Sequence, residues 1–177
     1  MKNTIKDLQI LKQKYGVSYG MALLSNRGIH SLLFYRIANF LYRYKIPLLP
    51  LILTRIIQIL YGIDLDYRAN IDGGVVIIHG VGIVIGAGAV IKSGTIIYHQ
   101  VTIGIKGYGK DDGFATIEEN CILGTGCKIF GKITIGKNSI IGANVVITRN
   151  IPKNCIVTNN YDLKIRELKY NEKSINS

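Results

Sequence analysis

The 177-residue chain is short of the residues that most often announce a chemistry. It has three cysteines, three histidines and three prolines, and half as many acidic side chains as basic ones, 11 against 22. The cysteines are odd in number, with no Cys-x-x-Cys pair and no Cys/His spacing of a zinc site. That excludes a disulfide framework and a metal-ligand cluster. Cys121 and Cys127 stand six apart and read as small inward side chains, so a reducing, cytoplasmic compartment is expected. There is no Gly-x-Ser-x-Gly, no phosphate-binding loop and no Gly-x-Gly-x-x-Gly ahead of a helix. No uninterrupted apolar stretch reaches the roughly 20 residues that a membrane span needs. Met1 to Gly16 lacks both the apolar core and the small-residue cleavage site of a signal peptide.

The shortage of acids leaves a formal net charge of +11. Up to Arg68 there are ten basic residues against three acidic ones. The excess suits an anionic partner, such as a nucleotide-bearing cofactor or a phosphorylated lipid surface, or else it is a solvated basic surface with no dedicated partner. The basic residues are dispersed and no aromatic-basic RNA motif accompanies them, so no nucleic-acid partner is expected.

Glycine is plentiful, at 20 residues, and the chain repeats in sixes. Aliphatic residues fall at Ile117, Leu123, Ile129, Ile135, Ile141 and Ile147, several running directly into glycine. Four residues after each comes Cys121, Cys127, Ile133, Ser139 or Val145, mostly small or slender. A period of six fits neither the helical turn nor the ordinary strand. It marks a solenoid whose units bury their apolar faces only against their neighbours. Short strands joined by sharp corners, three to a coil, give a parallel β-helix of about eighteen residues per coil.

Residues 1–62 carry no sixes and read as helical. Leu8, Ile10 and Leu11 suggest a short amphipathic helix broken near Gly16, and a helical face runs from Ile29 to Tyr44. Pro47 and Pro50 interrupt it, and a further helix spans Leu51 to Tyr61. That last segment packs on the solenoid or a partner subunit, or lies shallowly on a membrane with Arg43, Lys45 and Arg55 at the headgroups. Sixes begin near Ile71, continue at Ile77 and Ile83, then reappear two residues out of step at Ile85, Ile91, Ile97 and Ile103. A two-residue insertion at one corner accounts for the shift. Fourteen residues separate Ile103 from Ile117, so residues 104–116 form an extruded loop, and loops on rigid scaffolds tend to carry function. The repeat closes at Ile151-Pro152, bounding a β-helical domain of residues 63–152, and a polar tail, 153–177, caps the last coil.

Counting through the insertion places His79 and His99 on one corner of adjacent coils, about 4.8 Å apart along the axis. Both point outward, whereas His30, in the helical segment, reads as structural or surface. Two outward histidines beside a loop, with no metal cluster, suit general-base chemistry, unless their stacking is a surface accident. A neutral imidazole ordinarily titrates near 6.5 and can take a proton from a hydroxyl. A carboxylate would hold its tautomer, and Asp64 and Asp66, at the start of the first coil, are candidates. Direct transfer from an activated donor to an acceptor hydroxyl is the simplest chemistry left.

These residues resemble the hexapeptide-repeat acyltransferases, and within them the serine O-acetyltransferase-like branch. Gly28-Ile-His-Ser-Leu-Leu-Phe-Tyr-Arg-Ile37 resembles the branch's helical segment ahead of the coils. Asp64 followed fifteen residues on by His79-Gly-x-Gly-Ile-Val-Ile-Gly86 resembles its catalytic arrangement. Gln100-Val-Thr-Ile-Gly104 resembles the stretch before its active-site loop, and Ile141-Gly-Ala-Asn-Val-Val146 the late coil that lines acetyl-CoA. The resemblance implies a mainly β fold, a left-handed parallel β-helix with a small N-terminal α-helical segment. It also implies a homotrimer with sites between subunits and acetyl-CoA as donor, with no metal. It makes His79 the base and Asp64 its partner. His99 stands as a second-site ligand or alternative base. Coil amides holding the pantetheine arm carry over to Gly124, Thr125, Gly142 and Ala143, with Lys153 as a further cofactor-binding candidate, although corner geometry alone would also call for these glycines.

Three departures bear on the acceptor. Ile78 stands where the serine enzymes have an aspartate before the histidine. Gly113-Phe114 stands where they have the Arg-His pair that closes the loop and grips the amino acid. Asn159-Asn-Tyr-Asp162 replaces their element after the last coil. Losing charged partners worth about 1.5–3 kcal/mol each argues against serine, and Tyr108 and Phe114 suit the apolar face of a sugar ring. The expectation is therefore an O-acetyltransferase, free in the cytoplasm or peripheral to the inner membrane face, acting on a saccharide hydroxyl of a surface polysaccharide or its precursor. Serine O-acetyltransferase is the alternative, and a non-catalytic scaffold the remote one.

Overall fold

The structure, a computed structural model, describes residues 2–160 apart from 108, 110 and 111. Four helices precede the coils: α1 (Lys2–Tyr15), α2 (Tyr19–Ser25), α3 (Arg27–Arg43) and α4 (Leu49–Tyr61). Gly16, at φ +68°, ends α1 in the left-handed region that the break at this position requires. The sequence reading passed over α2, which is a short helix capped by the Ser18 hydroxyl, an acceptor for the Met21 N–H. Pro50 sits in the first turn of α4, where its missing donor costs nothing. His30 ties three helices together: its Nε2 donates to the Leu23 carbonyl at 2.7 Å and its Nδ1 accepts from the Tyr61 hydroxyl at 2.9 Å.

Five coils follow. The first holds β1 (Asp64–Leu65), β2 (Asn70–Ile71) and β3 (Val76–Ile77), the second β4 (Val84–Ile85), β5 (Val90–Ile91) and β6 (Ile96–Ile97). The third holds β7 (Thr102–Gly104), β8 (Thr116–Ile117) and β9 (Ile122–Leu123), and the fourth β10 (Lys128–Phe130), β11 (Thr134–Ile135) and β12 (Ile140–Ile141). The fifth has β13 (Val146–Ile147), a parallel bridge from Ile151 to Ile135, and β14 (Ile156–Val157). All pairings are parallel and form three sheets, β1-β4-β7-β10-β13, β2-β5-β8-β11 and β3-β6-β9-β12-β14. One inward aliphatic from each strand builds a column in each sheet, such as Ile77, Ile97, Leu123 and Ile141, all buried. Burying one such side chain fully contributes about 1.5–3 kcal/mol, which sets the register of the whole stack.

Two expectations change. The residue that follows Ile77 in phase is Ile85, which pairs with Leu65; Ile83 instead joins Ile63, Val101, Cys127 and Val145 in a second buried column at the corner. The insertion therefore lies between β3 and β4, at His79 to Gly82. The coil also runs past Pro152, because proline occupies a corner where no ladder donor is needed, and β14 pairs with β12 beyond it. The remainder of the expected cap lies outside the described residues.

The first coil has no coil beneath it, so its edge needs partners. The Tyr35 hydroxyl donates to the Ala69 carbonyl at 2.6 Å and accepts from the Ile71 N–H at 3.1 Å. Asn39 donates to the Tyr67 carbonyl, and Arg36 to the carbonyls of Ile71 and Asp72. Arg36 also pairs with Asp7 of α1 through two 2.9 Å bonds, and Asp7 accepts from the Gly74 N–H at 2.7 Å. α4 packs on α3 and β1, burying Pro50, Thr54 and Ile57. Its other side stays open, with Ile52, Ile59 and Leu60 exposed. Among the described residues no helix is long and apolar enough to cross a membrane.

Two measurements check this account. Asp7→Ala strands the largely covered Arg36 guanidinium, whose side chain is 11% exposed, so denaturant unfolding should show a loss of about 3–5 kcal/mol, whereas a change below about 1 kcal/mol would mean that the pair is solvated in solution. Burial pushes the Cys127 thiol up to about 12 and raises that of Cys121. A thiol reagent at pH 8 should therefore modify only Cys155 in the native protein and all three thiols after denaturation; rapid labelling of Cys121 or Cys127 would contradict the packing.

Candidate functional site

The corner between the third strand of one coil and the first strand of the next repeats up the molecule. Register carries His79 onto His99, because Val76 pairs with Ile96 and Ile77 with Ile97, and the same ladder leads to Thr125 and Ala143. A column of left-handed residues follows at Gly62, Gly82, Gln100, Gly126 and Asn144. Each of the upper four donates its N–H to the coil below, to the carbonyls of Gly62, Val81, His99 and Thr125 respectively. The insertion adds residues only to the first of these corners, where His79 itself takes φ +63°. For a non-glycine residue that conformation is uncommon, and it clusters at sites where the surroundings over-determine it.

The two imidazoles stand edge to face, with centroids 5.9 Å apart. His79 is exposed, and it opens on a cavity of about 280 Å³ lined also by Ser25, Asn26, Arg27 and Gly28. His99 is half-buried, and its Nδ1 has no hydrogen-bond partner among the described residues. Such an atom carries a desolvation cost of about 1–3 kcal/mol, which a bound ligand would relieve. Asp64, at the edge of the first coil, accepts a 3.1 Å hydrogen bond from Gln58 Nε2, and Gln58 in turn accepts from Arg55. No hydrogen bond joins Asp64 to His79. Asp66 is committed to Arg68, at 2.7 Å. No group of three metal-ligating side chains occurs among the described residues.

The cofactor candidates divide. Gly124 and Gly142 stack on successive coils, and a Cβ on Gly124 would lie 2.6 Å from the Ile141 carbonyl, so the coils approach closely only with glycine there. Beside them the N–H groups of Thr125 and Ala143 have no backbone acceptor among the described residues. Lys153 sits elsewhere. Its neighbour Asn154 donates to the Lys137 carbonyl, on the corner that precedes the third strand of a coil, so Lys153 is not in the histidine column. Counting sixes separates these corners only when the remainder after eighteen is kept.

The loop after β7 is shaped by Asp112, which escaped the sequence reading. Its carboxylate accepts from the N–H groups of Lys106, Gly107 and Gly113, and these bonds, with Gly107 leading, hold it below the usual carboxylate range. An acid five residues beyond Gly107 in a glycine-rich loop is the signal that could have found it. Phe114 lies over Gly86 and Gly88, where a Cβ would come within 2.0 and 2.6 Å of its ring. It anchors the loop on the solenoid. Tyr108 lies outside the described residues.

Residues 114–149 match the bacterial transferase hexapeptide (six repeats) family. The chain is 35% identical over 130 residues to a serine acetyltransferase of Helicobacter pylori, covering 73% of this chain and 76% of that protein. It is 36% identical over 137 residues to a serine acetyltransferase of Synechococcus elongatus, covering 76% of this chain and 55% of that one. The chain spans about half the length of several curated relatives it matches. Among solved structures, serine acetyltransferase isoform 3 of Entamoeba histolytica in complex with cysteine superposes with a TM-score of 0.85 at 32% identity, covering 99% of this chain and 63% of that one. The Brucella abortus enzyme in complex with coenzyme A gives 0.86 at 25% identity, covering 90% and 65%. The hexapeptide match and these neighbours make the parallel β-helix left-handed. They also overturn the saccharide acceptor expected from the sequence: these relatives and structural neighbours are serine acetyltransferases.

Proposed function

The chain belongs to the hexapeptide-repeat acyltransferase family, and we propose that it is an acetyl-CoA-dependent O-acetyltransferase whose acceptor is the hydroxyl of serine. The observation that carries the reading is the histidine corner: His79, forced into the left-handed region by the insertion, opens on a cavity and stacks on His99. The serine acetyltransferases among its relatives support the acceptor. Relatives and the coenzyme A complex support the donor, and the N–H groups of Thr125 and Ala143, which have no backbone acceptor among the described residues and are flanked by Gly124 and Gly142, offer donors to an amide-rich arm.

In this reading the thioester supplies an activated acetyl group. His79 takes the proton from the serine hydroxyl as its oxygen attacks, then returns it to the departing sulfur. Asp64 acts as a positioning residue whose carboxylate favours the imidazolium as it forms, and the bond from Gln58 fixes one of its oxygens. His99, stacked beneath the next corner, binds within the same site. The family resemblance supports a homotrimer with sites between subunits, which leaves the outward corner facing a neighbouring chain.

The test measures thiol release from acetyl-CoA with serine and a panel of other hydroxyl acceptors. Serine should be turned over, and His79→Ala should lower kcat by about 10²–10⁴-fold with circular dichroism unchanged, while His99→Ala loses less. Near-wild-type turnover by His79→Ala refutes the base assignment; turnover of another acceptor without serine refutes the substrate. Light scattering should give the mass of a trimer of 19.6 kDa chains.

A further inference from the structure

We propose that Arg27 forms the carboxylate subsite of the cavity at His79, an inference that rests on the serine reading above. A zwitterionic acceptor brings a carboxylate, and the loop position matching the arginine of the serine enzymes is Gly113 here. Its neighbour Phe114 is turned onto Gly86 and Gly88. The loop therefore offers no guanidinium at that position. The cavity at the candidate base has one of its own. Of the five residues that line it, Arg27 and His79 are the titratable ones, and none is acidic. The Arg27 side chain is exposed and makes no hydrogen bond or ion pair with any described residue.

Its placement is built. Asn26 ends α2 and caps α3, accepting from the Ile29 N–H at 2.9 Å. Gly28 presses the start of α3 onto β3, since a Cβ there would lie 2.4 Å from the Ile77 carbonyl. Arg27 is held between these two anchors, so its Cα is fixed against the strand that ends two residues before His79. A guanidinium matches a carboxylate in a bidentate pair, which an ammonium cannot reproduce. Gripping the carboxylate here would orient the acceptor so that its hydroxyl, not its amine, meets the imidazole.

Steady-state kinetics with L-serine and L-serinamide test this. In the wild type, serinamide, lacking the carboxylate, should show a KM about tenfold or more above that of serine. Arg27→Ala should raise the serine KM to that level while leaving the serinamide and acetyl-CoA KM values unchanged, and Arg27→Lys should restore part of the difference. An equal rise for serine and serinamide, or no change for either, overturns the subsite while leaving serine as substrate. A wild type that does not turn over serine overturns the functional reading, and this inference with it.

Discussion

The register of the inward aliphatic columns is the constraint on which everything else in this molecule hangs. A strand of two or three residues has too few ladder bonds to fix its own position. What fixes it is that a slip of one residue would turn a buried isoleucine to solvent and an outward polar residue into the core. Once Leu65, Ile85, Ile103, Ile129 and Ile147 stack, the corners stack as well. His79 and His99 meet because of aliphatic side chains that neither of them touches in sequence. The catalytic candidates inherit their precision from the core.

A stack of coils has two ends, and the lower one shows how the helices serve the rod. Tyr35, Arg36 and Asn39 lie on one face of α3, spaced one and three apart, and each meets backbone groups of the first coil's open edge. The Arg36 guanidinium could not be buried on carbonyls alone, and Asp7 neutralises it from α1. Burial raises the Asp7 carboxyl, which the pairing with Arg36 and the Gly74 and Val75 N–H groups pull back down. The same docking brings the α2–α3 junction over the His79 corner. The helical segment is thus both the cap of the solenoid and one wall of the cavity.

Much of this was legible in the residues. Periodicity gave the coil, the slip gave an insertion, and counting through it put the two histidines on one corner, 5.9 Å apart in the structure. The failures are those of counting without a corner label. Ile83 keeps six from Ile77 yet belongs to the second inward column, because both columns take aliphatic residues and a period alone cannot tell them apart. Lys153 is a cofactor-binding candidate in sequence, and the ladder puts it on another corner than Thr125 and Ala143. Phe114 read as a ring platform for an acceptor; the glycines at 86 and 88 that receive it gave no sign in sequence of what would fill them. α2 was missed because seven residues with a glycine show too little period to register.

The acceptor was misjudged for a related reason. Losing a charged pair from a loop need not remove the charge from the site, because a function is not tied to one position in the chain. A solenoid corner is approached from the loop on one side and from the docked helices on another, and either can deliver a cation to the same point. Phe114 is turned onto Gly86 and Gly88 of the coil, and Gly113 beside it offers no side chain to an acceptor. Arg27, exposed and without an ion pair among the described residues, is on the helical side. In the proposed reading the site keeps its substrate while exchanging the element that holds it, because the rigid stacked corner keeps the candidate base in place.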